Sequence, residues 1–67
     1  MTQDTAKLFL DKDVQIYPGD TDSKFGKVVA VDELGVTFKI TRSNSSQYTV
    51  GKLHFIGVGS RLSMREV

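Results

Sequence analysis

The sequence predicts a small all-β domain: five to six short strands closing into an antiparallel barrel, with a short helical turn ahead of them. Three observations carry that expectation. Apolar and polar residues alternate in DVQI (13–16), GVTFKI (35–40) and RLSMR (61–65), which is the period of a strand with one buried face. The single proline and the six glycines fall where such strands would have to turn. A chain of 67 residues with no cysteine must also economise, because its core only just outweighs chain entropy and closure removes exposed sheet edges.

Composition agrees with one domain spanning 1–67. Hydrophobic residues make up 39% of the chain and the mean hydropathy is −0.19, a globular balance rather than a disordered one. Without thiols neither disulfides nor thiolate metal sites can add stability, so self-association is the remaining supplement. No apolar run reaches membrane-spanning length, and MTQDTAKLFLDKD lacks a basic stretch followed by a long apolar core. The expectation is a soluble, cytoplasmic protein that does not engage a membrane.

The elements follow in order. TAKLFL admits two readings, a helical turn capped by Thr2 or Asp4, or a short strand through Leu8, Phe9 and Leu10; either should fold onto the barrel. DVQIY is a half-buried strand stopped by PGD. GKVVAV and GVTFKIT form a hairpin, with Val36, Phe38 and Ile40 on one face and Gly35 in the left-handed conformation that closes the DELG loop with a bulge. RSNSSQ is a solvated tip, and YTVGKLHFIG reads as a strand bent at Gly51. Gly57 and Gly59 then bracket a tight turn, and the last strand points Leu62 and Met64 inward.

Residues 13–40 carry a resemblance. The strand DVQI, the loop containing Gly19, Gly26 followed by KVVAVD, then Gly35 and VTFKI resemble the KOW motif of SH3-like barrels, in which a glycine at the place of Gly26 starts the second strand where a β-carbon would crowd it. The match covers less than half the chain. It implies an SH3-like barrel acting as a non-enzymatic binding module that touches RNA or a nucleic-acid-processing machine. The acidic loop GDTDSK departs from that pattern, since Asp20 and Asp22 repel phosphates. The tetrapeptide VQIY is also similar to an active-site strand of plasmid-type dihydrofolate reductases, but there it follows the hairpin instead of preceding it, and no activity is carried over.

Charge offers a first candidate surface. The net charge is +1, yet residues 1–33 set four lysines against seven carboxylates, a balance of −3, while residues 34–67 set five cations against Glu66, a balance of +4. If the later strands are neighbours, Lys39, Arg42, Lys52, His54, Arg61 and Arg65 merge into a basic face able to contact nucleic acid. The plainer reading is a solvated surface neutralised by the acidic half. Aromatic residues offer a second surface. Phe38 and Phe55 read as core, leaving Tyr17, Phe25 and Tyr48 either to line a protein-binding groove or to plug the barrel end.

Catalytic and metal chemistry find no pattern of useful specificity. His54 has no nucleophile or carboxylate beside it in GKLHFIG. DTDSKFG begins like a calcium loop but places Lys24 at the third ligand position and Val31 where the closing glutamate belongs. No enzyme activity, catalytic residue, metal, cofactor or small-molecule substrate is expected. Two functions remain: a nucleic-acid-contacting module with a basic face, or a protein adaptor or self-assembling module using an aromatic groove or an edge strand.

Overall fold

A computed structural model describes residues 3–59 and 61–67. One helix, α1 (Gln3–Lys7), precedes five strands: β1 (Asp13–Ile16), β2 (Lys24–Val31), β3 (Gly35–Ser43), β4 (Leu53–Gly57) and β5 (Met64–Glu66). All pairings are antiparallel, and the strands are ordered β4-β3-β2-β1-β5. The first four form a meander, and the last returns to pair with β1. The all-β expectation is therefore correct, with five strands out of the expected five to six.

Hydrogen-bonded closure is not. β4 and β5 are the two edges of an open sheet, and at five and three residues they are its short members beside the eight of β2 and nine of β3. Side chains do the joining instead. Ile56 of β4 and Met64 of β5 belong to the same core as Val14, Ile16, Val28, Val36, Phe38 and Ile40, completed by Ala6 and Leu62. Burial of each large apolar side chain contributes about 1.5–3 kcal/mol, which is what holds so small a sheet in its curl.

The N-terminal segment is helical, but Asp4 lies inside α1 rather than at its cap, in the first turn where the helix dipole favours a carboxylate. Thr2, the other candidate cap, lies outside the described residues. Leu8–Leu10 form no strand: the amides of Leu8, Phe9 and Leu10 donate to the carbonyls of Thr5, Ala6 and Lys7, a tightened continuation of the helix. Ala6 is fully buried and Phe9 packs on the core. Asp11 turns the chain with φ 63°, and its amide donates to Val28 O at 2.8 Å, pinning this segment to β2.

Two glycine expectations come out differently. Gly35 does not adopt a left-handed conformation; the loop is closed by Asp32, whose Oδ1 accepts from the amides of Leu34 and Gly35 at 2.8 and 2.9 Å. Glycine is required there for space, since a β-carbon would collide with Ile56 O and lie 2.6 Å from Phe55 Cζ. Gly51 has φ 87° in the turn that precedes β4, not in a bent strand, and β4 starts only at Leu53. Gly26 is crowded as expected, since a β-carbon would approach Lys39 O to 3.0 Å, but it is the third residue of β2 and not its start.

Bulges lie inside the β2–β3 ladder and not at its turn. Phe25 pairs with Arg42 and Gly26 with Ile40, so Thr41 is the extra residue on β3; Val28 pairs with Phe38 and Ala30 with Thr37, so Val29 is the extra residue on β2. Each extra residue resets which side chains share a face. That resetting builds the surface described next.

Candidate functional site

Directly opposed residues in neighbouring strands point to the same side of a sheet. The inner side is defined by Val28, Phe38, Ile40 and their buried neighbours. On the outer side one row runs Arg65, Gln15, Phe25, Arg42 across β5, β1, β2 and β3. A second row runs Asp13, Lys27, Lys39, Leu53 across β1, β2, β3 and β4, and a third runs Ala30, Thr37, Phe55. Strict alternation would set Lys39 and Arg42 on opposite faces, being three residues apart. The bulge at Thr41 returns Arg42 to the side of Lys39.

Within these rows Arg65 Nη2 donates to Gln15 Oε1 at 2.8 Å, and the Arg42 guanidinium lies 5.2 Å from the centroid of the Phe25 ring, within cation–π range. Asp13 is the lone carboxylate in the rows, against the cations Lys27, Lys39, Arg42 and Arg65. Lys27 and Lys39 are direct cross-strand partners. Like charges placed so are destabilising, and the ion pairs among the described residues, Lys12 with Glu66 and Lys24 with Asp20, neutralise neither lysine.

The structure thus sorts the expected basic set. Lys39, Arg42 and Arg65 share the outer face. His54 does not: it pairs with Phe38 on the inner side at the sheet's edge, and its ring stacks on Tyr48 with centroids 4.2 Å apart. Lys52 is exposed in the turn before β4, and Arg61 is exposed in the segment leading into β5, so neither stands in the rows. Lys27 is the residue that sequence reading missed. It sits in the acidic half of the chain, and only the β2–β3 pairing sets it beside Lys39.

The expected groove of Tyr17, Phe25 and Tyr48 does not assemble. Lys24 and Phe25 are adjacent in β2 and point to opposite sides, as their alternating burial shows. Phe25 faces outward. Tyr17 and Tyr48 instead flank Lys24, whose Nζ is 5.7 Å from each ring centroid. Lys24 is only 3% exposed, and its Nζ donates to Asp20 Oδ2 at 2.9 Å and to the carbonyl of Asp22 at 3.5 Å. The acidic loop that departs from the KOW pattern thus neutralises a lysine the fold has buried.

Local backbone geometry delivers that cluster. Tyr17 ends β1 with φ 49°, a left-handed conformation that costs an L residue about 1–2 kcal/mol. Its amide donates to Ser63 O at 2.9 Å, and its carbonyl accepts from Asp20 N at 2.9 Å, which turns the loop back toward β2. The loop is tied to the tip after β3 by Ser23 N donating to Asn44 Oδ1 at 2.8 Å and Asn44 N donating to Ser23 O at 3.1 Å. Burial, and then the neighbouring Tyr17, push the Tyr48 hydroxyl above its ordinary pKa, with Lys24 acting in the opposite direction and Asp20 adding to the rise.

Phe55 was expected in the core and is not there. Paired with outward-facing Thr37, it is 52% exposed, and Leu53 on the same strand is 67% exposed. The alternation of LHFIG is the same with either set of residues inward; in the fold Ile56, opposite buried Val36, is the inward one. Among the described residues no cleft or cavity opens, no group of three or more histidines or carboxylates could hold a metal, and no helix is long and apolar enough to cross a membrane.

No family model, no curated protein and no solved structure matches the chain.

Proposed function

We propose that the chain is a small non-enzymatic binding module, of the SH3-like kind its KOW-like stretch suggests, that contacts nucleic acid through the outer face of its sheet. The observation that supports this reading is the direct apposition of Lys27 and Lys39, on a face that also carries Arg42 and Arg65 and sets only Asp13 against these four cations. A fold gains nothing by placing like charges opposite each other, whereas a phosphate between them relieves the repulsion of both. Binding of this kind positions a phosphate backbone without reading sequence, and it weakens steeply with salt. Fluorescence anisotropy at low salt tests it. Labelled oligonucleotides should bind in the micromolar range, about 10⁻⁴–10⁻⁶ M, and Lys27→Gln and Lys39→Gln should each weaken binding and flatten its salt dependence. Absence of binding at tens of micromolar, roughly the middle of that range, overturns the proposal.

A second reading, a protein adaptor or self-assembling module, draws on β4. That strand pairs with β3 on one side, stands at the sheet edge, and carries exposed Leu53 and Phe55, the combination that invites strand addition. It predicts concentration-dependent association in sedimentation velocity, abolished by Leu53→Lys. A monomer at all concentrations, with no protein partner recovered, excludes it.

A further inference from the structure

We infer that the outer face takes single-stranded rather than duplex nucleic acid, stacking bases on Phe55 and on the Phe25–Arg42 pair while Lys27 and Lys39 meet the phosphates between them. This rests on the basic-face reading above and names the ligand class for the same surface. The argument starts from Phe55. Its ring tip lies over the backbone of Gly35, where a β-carbon would come within 2.6 Å of Cζ, and half of the residue stays open to solvent. The tip of the ring is therefore held against the sheet while about half of the residue is open to a ligand. A ring held in place this way loses little conformational freedom on binding.

The second platform lies diagonally across the sheet. Phe25 and Phe55 are two strands apart, and the Lys27–Lys39 row runs between their rows. With strands roughly 4.8 Å apart and residues about 3.3 Å apart along each strand, the backbone positions of Phe25 and Phe55 are separated by roughly 16 Å, a span of a few nucleotides. The Arg42 guanidinium over Phe25 presents a planar cation, a surface on which unstacked bases also settle. A duplex hides the faces of its bases inside the stack and offers only phosphates and groove edges. A single strand offers both phosphates and free base faces, and this surface alternates the groups that suit them. Charge complementarity favours a polyanion over an apolar protein partner here, because Arg42 lies against Phe25 and the Lys27–Lys39 row runs between the two rings.

The test titrates the full chain against fluorescein-labelled oligothymidylate of about 12 nucleotides and a mixed-sequence duplex of the same length, at about 50 mM salt. Wild type, Phe55→Leu and Lys39→Gln are compared. The expected result is tighter binding of the single strand by the wild type, a loss of about tenfold in that affinity for Phe55→Leu, and no change in its duplex affinity. Lys39→Gln should weaken both complexes and lower the salt slope by about one. The single-strand inference is overturned if the wild type binds the duplex as tightly as the single strand, a comparison that needs no variant. It is also overturned if Phe55→Leu affects both complexes equally or neither. In those cases the basic-face reading stands, whereas absence of binding to either probe overturns both.

Discussion

Lys27 and Lys39 stand directly opposite each other across the β2–β3 ladder, with Asp13 beyond Lys27 on one side and Leu53 beyond Lys39 on the other. Reversing the charge at Lys39 should therefore separate stability from binding. Lys39→Glu turns a like-charge pair into an opposite-charge pair, worth about 0.2–1 kcal/mol in a sheet, so its thermal midpoint should rise. Its affinity for oligonucleotides should fall at the same time. Circular dichroism melting and anisotropy on the same samples check both signs.

Asp20 and Lys24 form an ion pair of unequal members, since the Lys24 side chain is almost wholly buried and that of Asp20 is more than half exposed. Asp20→Asn leaves a buried ammonium without its counter-charge and should cost about 1–3 kcal/mol, less than the roughly 3–5 kcal/mol of breaking a fully buried pair, because water reaches the carboxylate side. Lys24→Met removes the charge, keeps most of the volume against Tyr17 and Tyr48, and leaves Asp20 in solvent. It should cost less than Asp20→Asn. Urea denaturation orders the two.

Gly35 and Gly19 give a matched comparison. A β-carbon at Gly35 would meet backbone and the Phe55 ring, and one at Gly19 would meet nothing within 4 Å. Gly35→Ala should destabilise by at least about 1–3 kcal/mol, as forced overpacking does. Gly19→Ala should leave the denaturation midpoint unchanged within about 0.5 kcal/mol, as surface substitutions do.

Tyr48 makes the fold sensitive to alkali. Its hydroxyl titrates above the usual 10.0 because burial disfavours the phenolate. A folded-state pKa above the unfolded value means that the folded state holds its proton longer. The associated stability is complete below pH 10 and is lost as pH rises from there through the folded pKa. Urea midpoints of the wild type should therefore fall above pH 10 more steeply than those of Tyr48→Phe, which has no proton there to lose. Equal slopes for the two proteins would refute the assignment.

Much of the fold was legible in the chain because period-two alternation and turn residues are local signals. Val14, Ile16, Val36, Phe38, Ile40, Leu62 and Met64 all point inward as alternation requires. Phe55 shows where that signal stops. LHFIG alternates equally well in either register, and its choice depends on pairing across the ladder, with Ile56 opposite buried Val36, which no local window contains. Closure is not legible for a related reason: alternation marks strands but is silent on whether the edge strands hydrogen-bond or merely share a core.

The candidate surface divides in the same way. Local pattern alone specified an all-β domain, a hairpin between β2 and β3, and a basic excess in the second half of the chain. Only the tertiary structure decided which cations stand together. The bulge at Thr41 brings Arg42 to the side of Lys39, strand pairing recruits Lys27 from the acidic half, and the β3–β4 register, with His54 opposite Phe38, turns His54 inward onto Tyr48. The physical reason is that a side chain's direction is fixed residue by residue along a strand, whereas its neighbours across a sheet depend on register, and one inserted residue changes register without changing composition.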